Sequence, residues 1–404
     1  MKHLQSLNRF YRALFVGLLA ISASLACAKP TSTKPTWQGP LFLAHYMPWY
    51  QNKSVSGKWG WHWTMNHFNP DQMTDGKQQA ASQYRPLIGL YDSSDPDVLE
   101  YHVQLMKIAG IGGVAVDWYG REDYNDYASN HKNTQSLINV IQKAGLKFTL
   151  VYEDQTVTQL IKGNVYPASD AVKKGRELMQ WLETNWFASP YFLKIDGHPV
   201  FMVFGPQYYK DQDWVQMFAP LKTQPDFLTL MFKKGPAVGG YSWPTPQRGE
   251  EKSWDELDMF EQRAANWPLK IEVAYPRFND IYSQAGMTSF PPIQDYGGAT
   301  YEKTLARALR SKAPIVQIAT WNDWGEGTQI EPSVEFGYRD LEATQRVTHA
   351  PYSAQDLRLP FQLYELRKKS VRGAATRRKL NAISDELLAG DCAKAKRDLA
   401  AFKN

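Results

Sequence analysis

The sequence predicts a (β/α)8 barrel with long loops after its strands, and three observations lead there. Eight short apolar runs recur along the chain, most of them preceded by a segment with helical periodicity. The runs are apolar on both faces, as parallel strands covered by helices are. Eight such units spread over about 330 residues fit a barrel with generous loops. The competing architecture, an open doubly wound sheet, usually carries a glycine-rich phosphate turn after an early strand. The sequence has none.

Taken in order, "LFLAHY" (Leu41–Tyr46) is the first strand. A long aromatic-rich excursion follows, and then a helix with clear signals. Ser94 or Asp95 caps it and Pro96 suits its first turn. Val98, Leu99, His102, Leu105, Met106 and Ala109 share one face, and Gly110 stops it. "GVAVDW" (Gly113–Trp118) is the second strand. A helix around Thr134–Ala144 leads to "KFTLVY" (Lys147–Tyr152), and one near Asp170–Asn185 leads to "PVFMVF" (Pro199–Phe204). The segment around Trp214–Leu221 leads to "DFLTLMF" (Asp226–Phe232), and "GGYSW" (Gly239–Trp243) is a short sixth strand. Helices at Trp254–Asn266 and Tyr301–Lys312 precede "KIEVAY" (Lys270–Tyr275) and "PIVQIATW" (Pro314–Trp321). The barrel domain thus spans 40–372, and the basic tail, 373–404, reads as a helical extension that packs rather than binds.

The N-terminus supplies a different kind of information. Lys2, Arg9 and Arg12 precede an apolar run from Ala13 to Ala26, and "ACA" (Ala26–Ala28) offers a small-residue cleavage site. Residues 1–28 therefore read as a signal peptide and 29–39 as a linker, with export to the periplasm or the extracellular space. A lipoprotein signal anchored through Cys27 is the rival, although Ser24 stands where a leucine would favour it. The apolar run falls short of the about 20 residues a membrane span needs, and no second run of that length occurs. The only other cysteine is Cys392, so an exported chain of this kind has no internal disulfide and depends on its core. Removing the leader takes away three basic residues and no acidic one, which leaves the mature chain near neutral and gives no electrostatic case for nucleic acid. Aromatic residues make up 13% of the chain, with 14 Trp, a bias that in an exported enzyme points toward sugars, whose C–H faces stack on rings.

A barrel of this kind places its active site at the C-terminal ends of the strands. Polar and aromatic residues gather at those ends: "HYMPWY" (His45–Tyr50), "DWYG" (Asp117–Gly120), "YED" (Tyr152–Asp154), "YPRFND" (Tyr275–Asp280) and "TWNDWGEGTQIEP" (Thr320–Pro332). The last contains Asp323 and Glu326. Glycoside cleavage needs one carboxylic acid to protonate the leaving oxygen and usually a second carboxylate as base or nucleophile. Asp323 and Glu326 are the expected catalytic pair. Three residues apart on a helical turn, their Cβ atoms would lie about 5–6 Å from each other; an irregular loop would allow more. Gly325 and Gly327 permit sharp geometry there, and like charges so close should raise one pKa. Glu331 reads instead as a loop anchor or a helix cap. No zincin-type H-E-x-x-H pattern occurs, so neither a metal nor another cofactor is implied.

"WNDWGEGTQIEP" resembles the carboxylate motif of glycoside hydrolase family 99, the endo-α-1,2-mannosidases and mannanases, which typically read W/F-N-E-W-H-E-G-T-Q-I-E-P. It also resembles the N-D-Y-G-E motif of family 71, the α-1,3-glucanases. "HYMPWY" is similar to the family 99 Y-x-x-x-P-W-Y opening, and "WGWHW" (Trp59–Trp63) to its W-x-H-W segment. The stretch from Tyr84 to Gly120 resembles the family's run from Y-P-x-L-G-x-Y-x-S to the S-W-W/Y end of its second strand. The likeness covers most of residues 40–335. It implies that Glu326 is the general acid/base and that Asp323 stands where family 99 has a glutamate that deprotonates the substrate's 2-hydroxyl. Family 71, thought to invert, has aspartate there, so retention and inversion both remain open. Tyr46, Trp49, Trp61, His62, Asp117, Trp118, Glu153, Tyr241, Tyr275, Trp321, Asn322 and Gln329 are the expected substrate contacts.

The resulting expectation is a monomeric, exported hydrolase acting inside an α-linked polysaccharide or glycan. Two alternatives stand beside it: an inverting α-1,3-glucanase-like enzyme, and a carbohydrate-binding or glycan-assembly barrel without turnover.

Overall fold

A computed structural model describes residues 39–369 and 373–403. The expected signal peptide with Cys27, and all but the last residue of the expected linker, lie outside the described residues, as do residues 370–372 beside the expected start of the C-terminal extension.

Eight parallel strands close on themselves: β1 (Leu41–Tyr46), β2 (Gly113–Trp118), β3 (Lys147–Tyr152), β4 (His198–Val203), β5 (Asp226–Leu230), β6 (Gly239–Tyr241), β7 (Leu269–Ala274) and β8 (Ile315–Ile318). Each pairs with its sequence neighbours. β1 closes one seam against β8 with Leu41 opposite Ile315, and β3 reaches β4 with Val151 opposite Met202. The strands are buried on both faces. Leu43, Ala115, Val151, Met202, Leu228, Ile271 and Val273 form one layer, while Phe42, Val114, Val116, Phe148 and Phe201 meet the helices. The double glycine of β6 has a steric reason, because a Cβ on Gly239 would lie 1.6 Å from the carbonyl oxygen of Leu269 on β7.

The helical layer runs α1 (Pro96–Ile108), α2 (Tyr127–Lys143), α3 (Ala171–Leu182), α4 (Asp211–Phe218), α5 (Glu250–Arg263), α6 (Ala299–Arg310) and α7 (Arg339–Thr348). α1 follows its sequence signals: the Asp95 carboxylate accepts from the Asp97 N–H, Pro96 opens the first turn, and Gly110 takes φ +77 just past the end. α2 begins seven residues before the expected Thr134. Its first turns bury Tyr127, Asn130 and Asn133, polar residues that leave no apolar periodicity to read. β8 stops three residues before the expected Trp321, because the chain there folds back on itself. Ile330 N–H bonds to the Thr320 carbonyl at 3.0 Å, and Glu331 N–H to that of Trp321 at 2.9 Å.

Two insertions shape the rim. The loop after β1, residues 47–95, is held by Trp63, fully buried against Tyr50, whose indole N–H donates to the Tyr91 carbonyl at 2.8 Å. It is laced to the loop after β8 by Leu87 N–H on the Pro332 carbonyl and Val334 N–H on that of Arg85, both 2.9 Å. After β8, helices α8 (Leu359–Lys369), α9 (Ala374–Ala389) and α10 (Cys392–Lys403) pack back toward α1. Two of their arginines are committed there: Arg367 pairs with Glu100 at 2.6 Å and Asp97 at 3.2 Å, and Arg377 reaches Asp97 at 2.8 Å. Among the described residues no helix is long and apolar enough to cross a membrane.

Candidate active site

Strand alternation decides which side chains enter the barrel mouth. On β2, Val114, Val116 and Trp118 turn to the helices, so Ala115 and Asp117 turn inward. On β1, Phe42, Ala44 and Tyr46 turn outward and leave Leu43 and His45 inside. Glu153 follows β3, and Asp323 and Glu326 come from the loop after β8. The fields of Glu153, Asp323 and Glu326 all act on Asp117, so four carboxyl groups share one site, with no cation among the charges that act on them.

The acid pair sits on a tightly specified loop. Asp323 Oδ1 accepts from the Glu326 N–H at 3.0 Å, and the Asp323 N–H donates to Thr320 Oγ1 at 2.8 Å. The loop is braced from outside by Asn279 N–H on the Glu326 carbonyl at 2.8 Å and Ile281 N–H on that of Gly325 at 3.0 Å. Gly327 makes this approach feasible: its φ is +69, and a Cβ would meet the Asn279 carbonyl oxygen at 2.6 Å. Asp323 is buried, whereas Glu326 keeps part of its surface open. Burial pushes Asp323 up to about 6 although the N–H groups of Glu326 and Gly325 favour its anion. Glu326 is raised well above the usual carboxylate range, first by burial and then by the charges of Asp323 and Asp280. Burial also lifts Glu153 to about 8, against a 2.7 Å hydrogen bond from Gln155 Nε2. The expected pKa separation is present, but desolvation drives it more than like-charge repulsion does.

Glu331, five residues along, has the opposite environment. Its side chain is fully buried and fully bonded, accepting from Tyr91 Oη at 2.9 Å and Trp324 Nε1 at 3.2 Å, with His102 Nε2 at 3.0 Å. This is the anchor the sequence suggested.

The aromatic contacts divide. Trp49 stacks face to face on His62 with centroids 4.1 Å apart, and Trp61, 41% exposed, stands next to them. Trp59, Trp61, His62 and Tyr119 line a pocket of about 510 Å³ together with Lys58 and Asp126. Tyr119 connects the pocket to the acids, since the charges of Asp117, Glu153 and Asp323 all act on its phenol. Tyr241 is buried beside Glu153 and Asp117 and donates to the Val203 carbonyl at 2.9 Å. Gln329 is buried with its side-chain amide unpartnered.

Five expected contacts lie elsewhere and are corrected. Tyr46 points outward to α1, where its hydroxyl meets His102 Nδ1 at 2.9 Å. Trp118 packs between β2 and the helices, against His131 and Trp186. Trp321 is buried against His102, and Tyr275 lies under Trp254 of α5. Asn322 spends its amide inside the loops, bonding the backbone of Met47 and the Tyr91 hydroxyl. In exchange the structure brings in residues the sequence reading missed. Tyr282 sets its hydroxyl 3.5 Å from Glu326 Oε1, and Tyr50 Oη accepts from the Trp324 N–H at 3.0 Å. Tyr282 lies two residues past the "YPRFND" stretch, a signal that stopped just short. Among the described residues no three His, Cys, Asp or Glu side chains are placed to hold a metal ion.

Comparison with known proteins places this site in context. The family described as Glycosyl hydrolase family 99 matches residues 40–225. The match ends before β5, so the acid pair rests on its own geometry. A glycoprotein endo-alpha-1,2-mannosidase of Rattus norvegicus is 23% identical over 338 residues, covering 72% of this chain and 67% of that protein. Its Xenopus laevis counterpart is 22% identical over 337 residues, with 76% and 73% covered. Among solved structures, the GH99 endo-alpha-mannosidase from Bacteroides thetaiotaomicron superposes with a TM-score of 0.59 at 23% identity, over 79% of this chain and 98% of that one. At that identity the superposition speaks for the barrel.

Proposed function

We propose that the chain is a family 99-like glycoside hydrolase that cleaves internal α-mannosidic bonds with Glu326 as general acid/base and Asp323 as its partner base. The observation that carries this reading is the arrangement of the pair: a partly exposed carboxyl raised well above its ordinary range, beside a buried one raised only to about 6. Near neutral pH the first holds a proton for the leaving oxygen while the second is largely ionised. Asp323 Oδ1 holds the Glu326 N–H, and its Oδ2 is assigned to a substrate 2-hydroxyl or a water. The α-1,2-mannoside class comes from the relatives' names and from the "GTQIEP" flank. The basic lead and apolar run of residues 1–28 support export, and the chain is proposed to act as a monomer on a polysaccharide or glycan.

A second reading follows from Asp323 itself. It is shorter than the glutamate of the family 99 pattern, and a recessed base favours a water between it and the sugar, hence inversion. Product anomer by NMR on an α-1,2-linked mannan separates the two: retained α-anomer supports the substrate-assisted route, β-anomer the inverting one. On the same polymer Glu326→Gln should lower kcat by about 10²–10⁴, and full activity in that variant overturns the assignment. Activity should rise with pH as Asp323 ionises near 6 and fall where Glu326 loses its proton, well above the usual carboxylate range.

A further inference from the structure

Asp117 is the member of the acid cluster that the pair does not account for. It is the penultimate residue of β2, faces the barrel mouth and is 4% exposed, and its Oδ1 has no hydrogen-bond partner. A buried carboxylate with an unused oxygen is costly unless something external meets it. On the neighbouring strand His45 repeats the pattern: 1% exposed, kept neutral by burial at about 3, with Nδ1 unpartnered. The groups facing Asp117 are Glu153 from the end of β3, Asp323 and Glu326 from the loop after β8, and the phenols of Tyr119 and Tyr241. None supplies a positive charge.

We propose that Asp117 is a specificity-determining residue whose buried, unpartnered carboxyl hydrogen-bonds a hydroxyl of the sugar bound over the acid pair. The chemistry follows from its company. Three other carboxyls act on it, burial and their fields both oppose its ionisation, and a protonated carboxyl offers an O–H donor as well as an acceptor. This rests on the proposed hydrolase reading, and its test leaves the pair untouched.

The experiment measures kcat, KM and the pH profile on an α-1,2-linked mannan for wild type, Asp117→Asn and Asp117→Ala. Asparagine keeps a neutral donor and acceptor. The alanine variant should lose about tenfold in kcat/KM, the worth of one buried hydrogen bond, and asparagine should recover most of that loss. The alkaline limb of the profile should stay in place in Asp117→Asn. The proposal is overturned if asparagine is as damaging as alanine. It is also overturned if Asp117→Asn moves the alkaline limb to lower pH, as removal of a negative charge facing Glu326 would. Should the alanine variant fail to fold, the limb of the asparagine variant decides alone. Failure of the hydrolase reading would look different: inactive wild type on α-mannan, or an active Glu326→Gln.

Discussion

Glu326 and Glu331 lie on one loop, five residues apart, and chemistry has treated them in opposite ways. Glu331 is buried to the last atom and met by Tyr91, Trp324 and His102. Glu326 is partly open, and the Tyr282 hydroxyl stands 3.5 Å from it, the limit of a hydrogen bond. A carboxylate saturated with donors holds the rim together. One left hungry beside other acids is available to a substrate. Burial alone does not mark a working acid; unsatisfied burial does.

The comparison can be broken by mutation. Glu331→Ala should cost about 3–5 kcal/mol, because it leaves a buried histidine, a phenol and an indole without their acceptor. Denaturant unfolding would register the loss as a lower midpoint with an unchanged slope, whereas Glu326→Gln should leave the midpoint at or above wild type. Equal destabilisation by both changes would erase the distinction.

Glu153 sharpens it further through pH. Burial holds its folded pKa at about 8 against an ordinary 4.5, so the folded protein keeps a proton that the unfolded chain releases. That difference is absent at pH 4, where both states are protonated, and it weakens folding progressively as pH rises toward 8. Glu153→Gln should therefore raise Tm by a few °C at pH 7, on the order expected for one or two kcal/mol, and little at pH 4. A Tm gain that ignores pH would contradict the assigned cause. The smallest effect belongs to the rim. Trp61→Ala should raise KM a few-fold with kcat nearly unchanged, since an exposed ring contributes about 1 kcal/mol of stacking and touches no reacting atom.

Much of the barrel was readable because apolar runs bounded by helix stops need no tertiary context. β1, β2 and β3 begin and end where the sequence places them. The mistakes share a cause. Tyr46 and Trp118 close their strands and Trp321 follows β8 by three residues, and whether such a residue faces the mouth or the helices depends on chain parity relative to the barrel axis. One residue of shift reverses the answer. Asp117, beside Trp118, faces in for the same reason that Trp118 faces out. Asn322 was misread differently: an amide within the acid motif serves the loop's own backbone, a need visible only once Met47 and Tyr91 are placed next to it. The start of α2 escaped because asparagines carry its buried face.

The central claim is that Glu326 delivers a proton to the departing oxygen, and leaving-group dependence tests it most directly. Rates of wild type and Glu326→Gln would be compared on an α-mannan and on an α-mannosyl fluoride of matched length, whose fluoride departs with little need of a proton. The account predicts a loss of at least about 100-fold on the polymer and a far smaller one on the fluoride. Equal losses on both substrates would contradict it.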